Sequence, residues 1–101
     1  MTTSREYKAL TIKDRIIEFR VKKDTDIKAL AFAIYTNIKN VNKIKLECIG
    51  VCAVNQAVKS VIVARGLSSQ SGFDIIIKPH FDMLSIKSEE KTAVGMILEK
   101  N

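Results

Sequence analysis

Two short segments alternate apolar and charged residues, and this alternation restricts the architecture more than any other feature. In residues 17–21 and 44–48, every second residue is apolar. A period of two is typical of a strand with one buried and one solvated face. Strands covered by helices on both faces are instead continuous apolar runs. We therefore predict that all helices pack on one face of a sheet. The predicted open face carries six charged side chains: Glu18, Arg20, Lys22, Lys43, Lys45 and Glu47.

Two helices are predicted, one between these strands and one after them. Residues 23–26 form a turn that ends in capping residues, and apolar spacing predicts a helix over residues 26–39. Its predicted core stripe consists of Ile27, Leu30, Ala31, Ile34 and Ile38. A turn at Gly50 starts the second helix, and Gly66 is expected to end it because glycine is preferred just beyond a helix C-terminus.

The second helix carries two stripes at helical spacing. The larger side chains are expected to face the core, and they are Val51, Val54, Val58, Val61 and Ile62. The small side chains would let the sheet or a partner approach closely, and they are Ala53, Ala57, Ser60 and Ala64.

The C-terminal third is expected to complete the sheet. Residues 67–72 read as a polar loop, and residues 73–78 as a strand that Pro79 ends, since proline cannot donate to a strand ladder. Residues 82–91 are predicted to form the arm or loop of a hairpin, and residues 92–99 the last strand. The order is β-α-β-α-β-β, an α/β (α+β) two-layer sandwich with two helices on one face of a mixed four-stranded sheet. Residues 16–101 are expected to form one domain, with residues 1–15 as a flexible extension.

Charge and cysteine content limit the class of protein. The net charge is +6, and residues 1–23 alone carry seven basic and three acidic side chains. Such an excess suits a polyanionic partner, although solubility is an equal explanation. Cys48 and Cys52 with a single histidine cannot supply the four ligands of a structural zinc site. Reduced cysteines and the lack of a signal peptide or a membrane-spanning stretch predict a cytoplasmic protein without a membrane partner.

The start of the second helix is the first candidate site, and Asn55, Gln56 and Lys59 are its predicted nucleic-acid-binding residues. A helix N-terminus after a glycine turn presents free N–H groups and a positive dipole end, so a phosphate could bind there with Asn55 donating and Lys59 supplying charge. Asn55 and Gln56 could instead satisfy backbone groups of a loop or pair across a dimer axis. Arg65 is a further candidate, although a cation at a helix C-terminus is stabilising by itself. Phe32 and Tyr35 lie beside lysines and could stack on bases, or pack against a partner subunit or the N-terminal segment.

No catalytic arrangement is found in the sequence. His80 beside Pro79 is expected at the surface, and the serines at residues 68–71 lack the G-x-S-x-G turn of a nucleophile. Nothing matches a phosphate-binding loop or a dinucleotide fingerprint. We therefore predict a protein that is not an enzyme and needs no cofactor, metal or small-molecule substrate.

The motifs of the second helix and the segment after it resemble a known family. They are Ile49-Gly50, Ala53, residues 55–59, residues 64–66, Ser71-Gly72 and Asp74, extended by Pro79, Phe81, Glu90 and Thr92-Ala93. This pattern, over residues 17–99, resembles the stage V sporulation protein S family, which is similar in fold to the Alba chromatin and RNA-binding proteins. The resemblance implies a small, usually dimeric, nucleic-acid-binding regulator with a role in sporulation. It also implies that Lys22 and Lys23, in the first strand-to-helix turn, contact the nucleic acid backbone.

Two functions remain open on this reading. The first is a regulator that binds the phosphate backbone of RNA or DNA through a basic surface. The second is a dimeric protein-interaction module without a direct nucleic-acid role. Its contact surface would be the small stripe Ala53, Ala57 and Ala64 with the outward Phe32 and Tyr35.

Overall fold

The computed structural model describes residues 16–101, so the predicted extension at residues 1–15 lies outside the described residues. The elements are β1 (Ile16–Val21), α1 (Ile27–Ile38), β2 (Lys43–Cys48), α2 (Val51–Gln70), β3 (Ile75–Ile86) and β4 (Glu89–Lys100). The two helices share one hydrophobic core with the sheet. The predicted element order and two-layer α+β fold are confirmed.

The sheet is mixed and has the order β1-β2-β4-β3. β1 and β2 are parallel and joined through α1, whereas β4 runs antiparallel to both β2 and β3. Val21 pairs with Cys48, Cys48 with Val94, and Val94 with Phe81, so one row crosses the sheet where β1 and β2 end. We call this the upper end of the sheet. Only β3 and β4 continue past it, and residues 82–93 therefore form a projecting hairpin arm.

Helix α1 forms as the sequence predicts. The side chain of Asp26 caps it, because Oδ1 accepts a hydrogen bond from the Ala29 N–H at 3.1 Å. Leu30, Ala31, Ile34 and Ile38 are buried against the sheet. The alternating strands behave likewise, with Ile44, Leu46 and Cys48 fully buried.

Helix α2 buries the small stripe rather than the valine stripe. Ala53, Ala57, Ser60 and Ala64 are all buried, together with Val61. Val51 is 81% exposed and Ile62 60%, so the predicted core face of α2 was wrong except at Val61 and the half-buried Val54. The physical reason is that α2 packs against α1 as well as the sheet. Small side chains let these backbones approach closely, whereas a valine stripe would hold them apart. Val51, Val58 and Ile62 form an exposed apolar stripe instead.

The end of α2 also differs from the prediction. The helix continues through Gly66 to Gln70, and the predicted loop at residues 67–72 is mostly helical. The hydroxyls of Ser68 and Ser69 turn back onto the carbonyls of Arg65 and Gly66, so these polar side chains do not interrupt the helix. The chain reverses at Gly72, whose φ of 89° favours glycine.

Pro79 does not end β3, which runs to Ile86. In the sheet formed by residues 16–101, β3 is an edge strand beside β4, and proline is tolerated at such an edge. Residues 82–91 are therefore an arm rather than a loop, and β4 begins at Glu89 instead of residue 92. Lys87 and Ser88 have positive φ values of 52° and 66°, as a two-residue hairpin turn requires.

Candidate nucleic-acid interface

The Lys22–Lys23 turn and the start of α2 lie side by side at the upper end. Val21 and Cys48 are register partners in parallel strands, so the segments that leave β1 and β2 emerge next to each other. The first turn is closed by two hydrogen bonds. The Lys22 N–H donates to Thr25 Oγ1 at 2.7 Å, and the Thr25 N–H donates to the Lys22 carbonyl at 3.1 Å. The structure therefore holds both lysines on a defined turn.

A cavity of about 390 Å³ lies between the two segments. Its walls are Arg20, Val21, Lys22, Lys23 and residues 49–53. Two walls of this cavity thus carry cationic side chains and a helix N-terminus. We call it the upper cavity.

Backbone amides supply the second source of positive potential. Gly50 precedes α2 with a φ of 91° and offers no side-chain cap. The first intrahelical bond joins the Val54 N–H to the Gly50 carbonyl at 3.2 Å. Amides earlier than this one have no intrahelical acceptor, which is a general property of helix starts. Because residues 51–54 include no acidic side chain, this helix end favours an anion.

The three polar candidates on α2 have different surroundings in the structure. Gln56 is half-buried, and its Nε2 donates to the Thr25 carbonyl at 2.9 Å. It therefore satisfies a loop backbone group, one of the alternatives that the sequence left open. Asn55 and Lys59 are exposed. Lys59 lies nine residues beyond Gly50, about 13 Å along the helix axis.

Arg65 lies far from the upper cavity and is engaged with Asp74. Its Nε donates to Asp74 Oδ1 at 2.8 Å and its Nη2 to Oδ2 at 3.1 Å. Fifteen residues separate it from Gly50, about 22 Å along α2. This pairing lowers the pKa of the Asp74 carboxyl, chiefly through the Arg65 hydrogen bonds and then through the Ile75 N–H. Arg65 thus fastens α2 to the start of β3.

Phe32 and Tyr35 have different surroundings. The Tyr35 ring is parallel to the Phe73 ring with centroids 6.4 Å apart, and its hydroxyl hydrogen-bonds with Ser71 Oγ. Lys39 Nζ lies 3.9 Å from the centre of the Tyr35 ring. Tyr35 therefore packs within the chain. Phe32 is 55% exposed and remains a candidate for stacking or for an interface.

The hairpin arm is a surface that sequence reasoning undervalued. Phe81 is 79% exposed, and Met83 is exposed on the same strand. Lys87 and Lys91 flank the turn at its tip, beside Glu89 and Glu90. The sequence predicted an arm or loop over residues 82–91, but ending the preceding strand at Pro79 missed that β3 runs unbroken into it. The signal that could have revealed it is the strand-like composition that continues on both sides of this proline.

Two further properties of residues 16–101 bear on function. Within this range no group of three or more histidine, cysteine, aspartate or glutamate side chains is arranged to hold a metal ion. Neither of the two helices described is long and apolar enough to cross a membrane. Both cysteines are free, with Cys52 exposed and Cys48 buried, and burial raises the pKa of the Cys48 thiol to about 11.

Comparison with known proteins gives one family and one fold. The family model described as Stage V sporulation protein S matches residues 18–101. Among solved structures, Alba from Thermoplasma volcanium is similar with a TM-score of 0.56 and 16% sequence identity. The alignment covers 86% of this chain and 99% of that chain. At this identity the likeness shows a shared fold.

Proposed function

The chain belongs to the stage V sporulation protein S family, and we propose that it is a small cytoplasmic regulator that binds the phosphate backbone of nucleic acid at the upper end of its sheet. The family assignment supports a role in sporulation or a related developmental programme. The Alba-like fold, which the family resemblance links to chromatin and RNA-binding proteins, supports nucleic acid as the ligand.

The observation that carries this proposal is the convergence of two kinds of phosphate donor on the upper cavity. Lys22 and Lys23 line one wall of this cavity, and the first residues of α2, whose amides lack intrahelical acceptors, line the other. Helix N-termini and lysines both bind phosphate oxygens well. Asn55 and Lys59 would extend the same contact along the exposed side of α2.

These groups recognise phosphate rather than base edges, so binding is expected to depend strongly on salt and weakly on sequence. Gln56 would act indirectly by holding the lysine turn against α2. The hairpin arm projects at the same end, but its lysines lie beside acidic residues. The Lys22–Lys23 turn and α2 therefore carry the main contact.

The test is fluorescence anisotropy with labelled single-stranded RNA, single-stranded DNA and duplex DNA, between about 50 and 200 mM salt. The double variant Lys22→Ala/Lys23→Ala is expected to bind more weakly, with the salt slope reduced by about one per lysine removed. The preferred probe would identify the nucleic acid.

A matched control removes the same charge elsewhere. The double variant Lys39→Ala/Lys100→Ala also loses two positive charges, but Lys39 and Lys100 lie beside Tyr35 and Phe73, away from the upper end. It is expected to keep the native slope. Equal losses in both double variants would show that only net charge matters and would refute the assigned site.

The exposed apolar stripe of α2 supports a second candidate, a dimeric protein-interaction module. The small stripe proposed from the sequence as its contact surface is buried inside the chain, so that part of the hypothesis is wrong. Val51, Val58 and Ile62 are instead the apolar side chains available to a second copy of the chain. Sedimentation velocity of Ile62→Lys against Lys59→Glu tests this. A homodimer that only Ile62→Lys dissociates, with no nucleic-acid binding by the native chain, would favour the second candidate.

A further inference from the structure

Glu47 is a carboxyl group buried on the open face of the sheet. The alternation places it on the solvated side of β2, yet it is only 2% exposed. Both described helices pack against the other face of the sheet, so among residues 16–101 the neighbouring strands supply the cover. Its Oε2 is buried without a hydrogen-bond partner among residues 16–101. A buried acceptor without a donor is costly, and this one calls for an explanation.

Gly95 creates the space in which Glu47 is covered. Gly95 lies on β4, where it is the register partner of Glu47 on β2 and of His80 on β3. A Cβ atom at Gly95 would lie 2.5 Å from His80 Nε2 and 2.7 Å from Asp82 Oδ2. Because that Cβ is missing, the β3 side chains lean across β4 toward β2.

The side chains that meet there carry several charges. Lys45 Nζ lies 2.8 Å from Asp82 Oδ2 and 3.7 Å from Glu47 Oε1. His80 Nε2 lies 3.4 Å from Asp82 Oδ1. The two carboxyl groups, from strands on opposite sides of β4, thus share one ammonium.

Asp82, like Glu47, has a buried carboxyl oxygen without a hydrogen-bond partner among the described residues. Its Oδ2 is buried, and although it is near Lys45 Nζ it lacks a well-directed hydrogen bond among the described residues. Ionised carboxylates only accept hydrogen bonds, whereas a protonated carboxyl also donates one. A single proton between the two groups would satisfy both oxygens. Burial, and then the proximity of Asp82 and Glu18, also raise the pKa of Glu47, whereas the nearby Lys45 ammonium lowers that of Asp82.

We propose that Glu47 and Asp82 share one proton, and that this proton fastens the base of the hairpin arm to β2. Asp82 is the first residue of the arm, paired with Ala93. The shared proton would therefore join β2 to Asp82 of the hairpin arm. This inference does not depend on nucleic-acid binding.

The groups that face Glu47 set the direction of the response. Glu18 and Arg20 approach from β1, Lys45 lies on β2, and His80 and Asp82 come from β3. The β4 residues nearest in register, Ala93, Gly95 and Ile97, cannot ionise. When the pH rises, Glu47 releases its proton to solvent, and two neighbouring carboxylates then share one ammonium. Their repulsion loosens Asp82, and with it the arm.

The direct test is a carbon-13 NMR titration of the carboxyl groups in the full chain. Glu47 is expected to titrate above the ordinary range of a glutamate, and Glu99 below it. Glu99 is a matched reference because it faces the same side of the sheet, where hydrogen bonding from Lys78 lowers its pKa. A Glu47 midpoint at or below that of Glu99 would overturn the proposal.

Hydrogen exchange tests the link to the arm. Protection factors of the arm amides, corrected for the intrinsic pH dependence of exchange, should fall as Glu47 ionises, by roughly tenfold per unit of pKa elevation. Glu47→Gln keeps a donor for Asp82 and should make arm protection independent of pH, whereas Glu99→Gln should respond as the native chain does. Identical pH responses in the native chain and Glu47→Gln would refute the coupling. If Glu47→Gln fails to fold, Gly95→Ala, which displaces the His80 and Asp82 side chains, should lower arm protection already at neutral pH.

Discussion

The side-chain amide of Gln56 donates a hydrogen bond to the backbone carbonyl of Thr25, and so joins α2 to the turn that carries Lys22 and Lys23. The bond is partly buried and links residues 31 positions apart in sequence. Within the turn itself, the lysines are held by two hydrogen bonds between Lys22 and Thr25. The position of the proposed phosphate contact thus depends on a residue that does not touch phosphate.

Replacing this residue should weaken both stability and binding. Gln56→Ala leaves a partly buried carbonyl without its donor, which should cost about 1–2 kcal/mol in urea denaturation. The neighbouring variant Asn55→Ala removes an exposed amide and should change stability by less than about 0.5 kcal/mol. If both variants have the same denaturation midpoint, the Thr25 contact is not stabilising.

Two glycines near the end of α2 should respond in opposite directions. Gly72 has a φ of 89°, and an L-residue there costs about 1–2 kcal/mol, so Gly72→Ala should lower the melting temperature. Gly66 lies inside the helix with open space around its Cα, so Gly66→Ala should stabilise by about 0.5–1 kcal/mol. A loss of stability in Gly66→Ala would mean that the helix ends at Gly66 after all.

The buried small stripe should not accept a larger side chain. Ala57 is fully buried where α2 packs, so Ala57→Leu should overpack the core and cost about 1–3 kcal/mol. Val58→Leu, one residue away on the exposed stripe, should have an effect within about 0.5 kcal/mol. Thermal unfolding followed by circular dichroism compares the two. The reverse order of effects would restore the valine stripe as the core face.

The Arg65–Asp74 pair should give stability that depends on acid pH. The pKa of Asp74 is lowered in the folded chain, so its contribution is present above the pKa of the unfolded carboxyl and is lost as the pH falls through the folded value. Asp74→Asn should therefore reduce stability at neutral pH and flatten its decline in acid. Urea midpoints measured across the acid range show this directly. Asp24→Asn, which removes the same charge from an exposed turn, is the matched control.

Local patterns predicted most of the elements, and long-range contacts explain where they failed. The alternation around Ile17 and Ile44 identified the strands, and Asp26 identified the start of α1, because each signal lies within one element. Which stripe of α2 is buried depends on how closely α1 approaches, and a single helix sequence does not contain that information. Pro79 was misread because its effect depends on whether the strand is at an edge.

In the candidate site, too, the sequence identified individual residues but not the contacts between elements. Lys22, Lys23 and the start of α2 could each be chosen from sequence, but their proximity follows from the parallel register of Val21 with Cys48. Arg65 pairs with Asp74, and Tyr35 stacks on Phe73. Neither contact could be predicted from the spacing of residues within one element. The burial of Glu47 was unforeseeable, since it requires Gly95 and Asp82 from two later strands to meet it.

The contrast between the two thiols provides a native labelling position. Thiol-directed dyes react with the thiolate, and the buried Cys48, with a pKa of about 11, is almost wholly protonated near neutral pH. Cys52 is exposed in the first turn of α2 and lines the upper cavity. A maleimide fluorophore should therefore attach at this one position without any substitution. The fluorescence of the attached dye would then report the binding of a ligand in the space beside Lys22 and Lys23, in a chain without any substitution.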